Sequence, residues 1–258
     1  MNYLSGKHIL LTRTAKQNIA TAPLLSDYKA IPVHFPCLDI TYLKASIDSG
    51  LKKLEQKHTH ADVIFSSSNG VLAVASCLDN FAGTFKKIRL VAVGRKTADA
   101  LINLGCSVEI IPDEASQEGL IQTYKTKMLP KHVYFFRAEE GSDVLENYFK
   151  SEQVDFTFIP AYRSRCNPKQ FPEVISQMNK QSIDAVLLGS AKTAAFYVQK
   201  IGNITVANQP TVAVMSQHVA EAADKLGLDV QVIAKKPSFK AMLDGLNQYF
   251  TEQHKKGT

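Results

Sequence analysis

Short apolar runs recur along the chain: HILLT at 8–12, VIFS at 63–66, LVAV at 90–93, SVEII at 107–111, VYFF at 133–136, AVLL at 185–188 and TVAV at 211–214. Runs of this length, rich in Val, Ile and Phe and lacking an alternating polar residue, suit strands covered on both faces. Between them apolar residues return at helical spacing, as over Thr97–Leu104 and Val219–Leu226. Each of these two stretches is followed by a glycine, Gly105 and Gly227, the residue that commonly stops a helix. Strands alternating with helices predict parallel sheets with helices on both faces, an α/β fold.

The runs also repeat. KHILLTRT begins at Lys7 and KHVYFFRA at Lys131, so that at an offset of 124 Arg13 falls on Arg137 and Pro36 on Pro160. Near an offset of 122, IFSSSNGVLAV resembles LLGSAKTAAFYV, LVAVGRKTADALINLGCSVEIIP resembles TVAVMSQHVAEAADKLGLDVQVIA, and ASQEGLIQTY resembles PSFKAMLDGL. A period above 100 residues is too long for a solenoid unit and implies duplication of a domain-sized piece. Two extended segments, FPCLDITY at 35–42 and IPAYRSRC at 159–166, sit at equivalent points of the repeat. They are placed to pair and to join two lobes.

Composition narrows the class. The chain has 258 residues, 45% apolar and 21% charged, with a formal net charge of +6. These values suit a soluble globular protein of one or two domains and lean weakly toward anionic partners. No run of about 18 apolar residues suggests a membrane span, and Arg13 closes the first apolar run too early for a secretory segment. Cys37, Cys77, Cys106 and Cys166 are scattered, which suits reduced thiols rather than a metal site or disulfide framework. The basic tail HKKGT reads as a solvated end.

The candidate chemistry lies where strands run into helices. In an open parallel sheet, ligands bind beyond the C-terminal strand ends, at helix N-termini. These junctions read TRT, SSSNG, GRKT, RAEEG, GSAKT and MSQH, and they carry Arg13, Arg95, Lys96, Arg137, Lys192 and His218 beside Ser67, Asn69, Thr97, Ser190 and Ser216. The hydroxyls and amides also read as ordinary helix caps. Cations are disfavoured at that end of a helix, so several of them point to a bound anion such as a carboxylate or phosphate. No Walker or G-x-G-x-x-G motif favours a nucleotide, and no Cys/His cluster favours a metal.

At this point the chain resembles the uroporphyrinogen-III synthase family over about residues 4–250. The residues that carry the likeness are LLTR near the start, IFSSSNGV, VAVGRKTADAL, S-x-EGL at Ser116–Leu120, FFR at 135–137, AYRS at 161–164, LLGSAKTAAF, and a second VAV block followed by PSFKAML. The resemblance implies two flavodoxin-like parallel-sheet lobes from an internal duplication, joined by a two-stranded β-ladder. Residues 1–35 and 167–258 would form lobe one, 41–159 lobe two, and 36–40 with 160–166 the ladder. It also implies the reaction: hydroxymethylbilane, a linear octacarboxylate, loses its terminal hydroxyl as water and closes to uroporphyrinogen III with its last ring inverted. No metal or organic cofactor is implied. Further implications are a cytoplasmic monomer that binds neither nucleic acid nor membrane and contacts hydroxymethylbilane synthase transiently.

Site roles follow residue by residue from the same likeness. Tyr162 matches the tyrosine expected to assist hydroxyl departure, and it equally reads as a packed ladder aromatic. Alternation along the extended segment puts it on the face opposite Ala161 and Arg163. Ser67, Asn69, Ser190 and Thr97 match polar turns that bind carboxylates. Arg13 and Arg137 match strand-end arginines, for which an internal ion pair is the other reading. Ser216 and Gln217 stand where the family usually has Gly-x-Thr-Thr, so the threonine contact is in doubt. Glu139 and Glu140 follow Arg137 and suit an anion site only if they turn outward or pair with a cation. These departures leave open a non-catalytic relative that binds a tetrapyrrole or another polyanion. A tandem of receiver-like modules lacks the acidic pair such modules need, and dispersed charge disfavours a nucleic-acid binder.

Overall fold

Six of the seven apolar runs become strands, as a sheet buried on both faces absorbs side chains of both parities; SVEII at 107–111 forms no strand and contributes only an isolated bridge at Ile110. In the computed structural model, which describes residues 2–56 and 60–256, the first half holds β1 (His8–Leu11), α1 (Ala15–Ser26), β2 (Ile31–His34), β3 (Leu38–Tyr42), α2 (Lys44–Gln56), β4 (Ala61–Phe65), α3 (Ser68–Ala75), α4 (Phe81–Phe85), β5 (Arg89–Ala92), α5 (Arg95–Ile102) and α6 (Gln117–Tyr124). The second half holds β6 (His132–Ala138), α7 (Val144–Ser151), β7 (Asp155–Cys166), α8 (Pro172–Asn179), β8 (Ala185–Leu188), α9 (Ala191–Ile201), α10 (Ile204–Ala207), β9 (Thr211–Val214), α11 (Gln217–Asp224), β10 (Val230–Ile233) and α12 (Phe239–Lys256). Of the basic tail, His254–Lys256 belong to α12, and Gly257 and Thr258 lie outside the described residues. None of the described helices is long and apolar enough to cross a membrane.

The chain divides into two compact units, Met1–Ile40 with Arg165–Thr258, and Thr41–Ser164. The first holds a five-stranded sheet of order β10-β9-β8-β1-β2, parallel throughout. Alternation sends its side chains to two separate cores. Leu10, Val186, Leu188, Val212 and Val214 pack with Tyr197 of α9 and Val219 of α11. Ile9, Leu11, Ala185, Leu187 and Ala213 pack with Leu25 of α1 and Met242, Leu243 and Leu246 of α12.

The second sheet has the order β3-β7-β6-β4-β5. Strands β5, β4, β6 and β7 run parallel, and a further parallel bridge from Val91 to Ile110 covers the β5 edge. With the repeat as key, β6 corresponds to β1, β7 to β2, β4 to β8, β5 to β9, and the Ile110 segment to β10. The same spatial order therefore occurs in both sheets, although the chain enters the second at its third strand. The remaining strand, β3, lies beside β7. Leu43 N–H donates to Ala161 O and Asn167 N–H to Cys37 O, both at 2.9 Å. One strand ascends in number as the other descends, so this pair is antiparallel. Both points where the chain leaves one unit for the other, Ile40–Thr41 and Ser164–Arg165, fall within β3 and β7.

The duplicated helix stops have one geometry. Gly105 and Gly227 take φ of +81° and +82°. Cys106 N–H reaches Leu101 O at 3.2 Å, and Leu228 N–H reaches Ala223 O at 3.0 Å. This left-handed cap satisfies the last carbonyls of α5 and α11.

The feet of the two sheets also match and differ. Asp62 of β4 is 1% exposed. It accepts from Arg89 Nε at 2.6 Å and Nη2 at 2.9 Å, and from Tyr124 Oη at 2.5 Å. Burial, then the Asp62 charge, pushes the Tyr124 phenol far up. Its repeat partner Asp184 accepts from Lys7 Nζ and from His8 N–H, each at 2.8 Å, in a half-exposed setting.

Candidate functional site

In the second unit the strand ends gather hydroxyls and an arginine. Strand β4 ends at Phe65, and Ser67 caps α3 in extended conformation, its Oγ accepting from Gly70 N–H at 3.3 Å. The same Oγ lies 2.9 Å from Tyr162 Oη. Tyr162 reaches it through a β-bulge: Arg137 pairs with Pro160, but the next residue, Ala138, pairs with Tyr162. The extra residue, Ala161, interrupts the regular pairing of β7 with β6; Ala161 and Tyr162 are both buried. Bulges of this kind re-aim side chains at sites. Asn69 lies half-buried in the first turn of α3. Thr97 is buried in the first turn of α5, whose cap residue, Gly94, offers no side chain.

Arg137, at the end of β6, is 6% exposed. Its guanidinium lies 4.2 Å from the Phe158 ring centroid and donates from Nη2 to Asp143 Oδ1 at 2.7 Å. Glu139, one of the two acids that follow it, turns to Arg163 at 2.6 Å. Arg163 Nε is buried without a hydrogen-bond partner. The Arg137–Asp143 pair realises the internal ion-pair reading of that arginine.

In the first unit Arg13 sits at the corresponding place after β1. Its main chain is fixed by Asn18, which accepts from Arg13 N–H at 2.9 Å and donates to Leu11 O at 2.7 Å. Its guanidinium lies 5.3 Å from the Phe239 ring centroid. Among the described residues no carboxylate pairs with it. Burial pushes its pKa down, far from any loss of charge at neutral pH. Gly189, at the end of β8, lets this assembly close: a Cβ there would lie 3.1 Å from the Phe239 ring and 3.8 Å from Arg13 Cδ. Ser190 caps α9, 3.2 Å from Thr193 N and 2.8 Å from Thr193 Oγ1. Ser216 stands at the cap of α11 without making a capping bond, and Gln217 beside it is exposed.

The other junction residues face outward. Arg95 is 79% exposed and only 3.8 Å from Asp99 on its own helix, and Lys96 and His218 are exposed. Asp143, Phe158 and Phe239 were missed in the sequence. Phe239 lies inside the repeated PSFKAML block and could have been singled out there. Nothing in the sequence pairs Asp143 with Arg137.

Comparison with known proteins adds the family. A family model described as uroporphyrinogen-III synthase HemD matches residues 19–244. A uroporphyrinogen-III synthase of Synechococcus elongatus is 28% identical over 203 residues, 76% of this chain and 75% of that protein. A porphyrin biosynthesis protein HemD of Ruminiclostridium josui is 22% identical over 94% of this chain, which spans 48% of that relative's length. Among solved structures, a uroporphyrinogen III synthase from the extremely thermophilic bacterium Thermus thermophilus superposes with a TM-score of 0.64 at 16% identity, covering 96% of this chain and all of that one. The Helicobacter pylori uroporphyrinogen-III synthetase gives 0.63 at 17%, covering 95% and 99%. At such identities these structures speak for the fold alone.

Proposed function

We propose that this chain, which belongs to the uroporphyrinogen-III synthase family, closes hydroxymethylbilane to uroporphyrinogen III with loss of water and inversion of the last ring. It is a lyase of porphyrin biosynthesis. The observation that carries this is the family match over residues 19–244. The assignment of chemistry to residues rests on the Tyr162–Ser67 contact.

The reaction needs a hydroxyl to leave, and an oxygen leaves more readily when it accepts a proton or hydrogen bond. Ser67 Oγ already accepts from Gly70 N–H, so its own proton is free to point at Tyr162 Oη. Tyr162 then has its phenolic proton to offer outward. The chain Gly70 N–H, Ser67 O–H, Tyr162 O–H polarises in one direction, each bond strengthening the next. In this reading Ser67 positions Tyr162 rather than holding a carboxylate itself.

Arg13 is the anion holder of the first unit. It is charged, half-buried, oriented by Phe239 and free of an internal acid. The N-terminal N–H groups of α9 and α11, with Ser190, Ser216 and Gln217, add donors that favour carboxylates. In the second unit, Asn69 and Thr97 add donors at the starts of α3 and α5. Holding the bilane folded matters because unassisted closure gives the uninverted isomer, so positioning decides the product. We place the enzyme in the cytoplasm as a monomer.

The test is an assay with freshly made hydroxymethylbilane, with isomers resolved after oxidation. Isomer III in excess over isomer I is expected. Isomer I alone, at the rate without protein, would contradict the enzymatic reading and leave a tetrapyrrole-binding relative.

A further inference from the structure

Asp143 and Arg137 form a pair that is built to come apart. The same unit shows what a permanent pair looks like: Asp62, with a side chain 2% exposed, grips Arg89 through both oxygens. Asp143 instead is 64% exposed and bonds to a buried guanidinium through one oxygen. A carboxylate opposite an arginine gains most from the two-pronged arrangement, and this one forgoes it.

Asp143 also has somewhere else to go. It occupies the cap position of α7 but makes no capping bond, with φ −95° and ψ 13° outside the extended region. An aspartate there ordinarily accepts an N–H from the first helical turn. Its carboxylate is spent on Arg137 at the expense of that cap. The guanidinium, by contrast, does not depend on Asp143 for its place. Phe158 lies under it at 4.2 Å, and the backbone of Gly141 lies so close over it that a Cβ would fall 2.5 Å from Nη1.

Resting on the synthase reading, we propose that Asp143 is a built-in counter-anion: it neutralises Arg137 in the unliganded protein, and a carboxylate of the tetrapyrrole replaces it on binding. The exchange is one carboxylate for another, so Arg137 selects for an acid at that point while adding little net affinity. A product with eight carboxylates is thereby kept from binding too tightly to leave.

The experiment titrates uroporphyrin III, the stable oxidised form of the product, into the wild type, Asp143→Asn, Arg137→Ala and the double variant, with thermal melts to confirm folding. Asp143→Asn should bind about 2- to 5-fold more tightly, the size of a partly exposed ion pair. It should also lower KM more than it changes kcat. In the Arg137→Ala background the gain should vanish. Asp143→Glu, which keeps the charge, should bind like the wild type. A folded Asp143→Asn that binds no better than the wild type overturns the proposal. So does a gain that persists without Arg137, because that is only a change in net charge. If neither protein binds uroporphyrin III, the proposal is likewise wrong. Isomer III formation by the wild type with no gain in Asp143→Asn refutes the counter-anion alone, whereas the gain without isomer III formation refutes the synthase reading alone.

Discussion

Arg13 and Arg137 are the same residue of a duplicated unit, each at the C-terminal end of an equivalent strand, each beside an aromatic ring. They differ in what faces them. Arg137 meets Asp143, and its neighbour Glu139 meets Arg163. Arg13 meets no carboxylate among the described residues. The end of the second sheet therefore neutralises its own charge and carries the Tyr162–Ser67 hydroxyl pair, whereas the end of the first keeps a bare cation. On the proposed reading, the difference teaches that the two ends weight their tasks differently: the second assists the leaving hydroxyl and offers a screened cation, and the first offers a cation with no acid of its own.

Tyr162→Phe should break the comparison most sharply. It deletes the last hydroxyl of the Gly70–Ser67–Tyr162 chain in the second unit and changes nothing in the first. Turnover to isomer III should fall about 10²-fold, the low end of general-acid assistance, because the substrate's own carboxylates can substitute. The dissociation constant for product should hardly move. A rate within error of the wild type would make Tyr162 a packing residue.

The feet of the sheets offer a second contrast, in stability. Asp62→Ala leaves Arg89 and Tyr124 without their shared acceptor in a buried site, and should cost about 2–3 kcal/mol in denaturant unfolding. Asp184→Ala removes a half-exposed pair and should cost about 1 kcal/mol or less. Equal losses would mean that burial does not distinguish the two.

At Ser67 the expected effect on turnover is smaller than at Tyr162. Ser67→Ala removes the bond to Tyr162 and the α3 cap, which should lower turnover about 3- to 10-fold and stability by about 1 kcal/mol. Unchanged turnover with the stability loss would reduce Ser67 to a cap.

Much of the fold could be read from the chain. The apolar runs marked strands because burial on both faces leaves no room for polar alternation, and the repeat forecast two similar parallel sheets. The helix stops at Gly105 and Gly227 followed from the need for positive φ, although α5 and α11 themselves end at Ile102 and Asp224. The candidate site was less legible. The bulge at Ala161 depends on how β7 registers against β6, which no local pattern encodes. Nothing in the sequence singles out Asp143, and only its bond to Arg137 reveals its use. Phe239 stands 226 residues from Arg13, and only the folded first unit brings them together.

The most direct test of the divided tasks is the dissociation constant for uroporphyrin III in Arg13→Ala and Arg137→Ala, measured side by side at low ionic strength. Arg13→Ala should weaken binding about tenfold and flatten its salt dependence. Arg137→Ala should weaken it less than about threefold, because that cation already spends its charge on Asp143. Equal losses, or a larger loss at Arg137, would contradict the account.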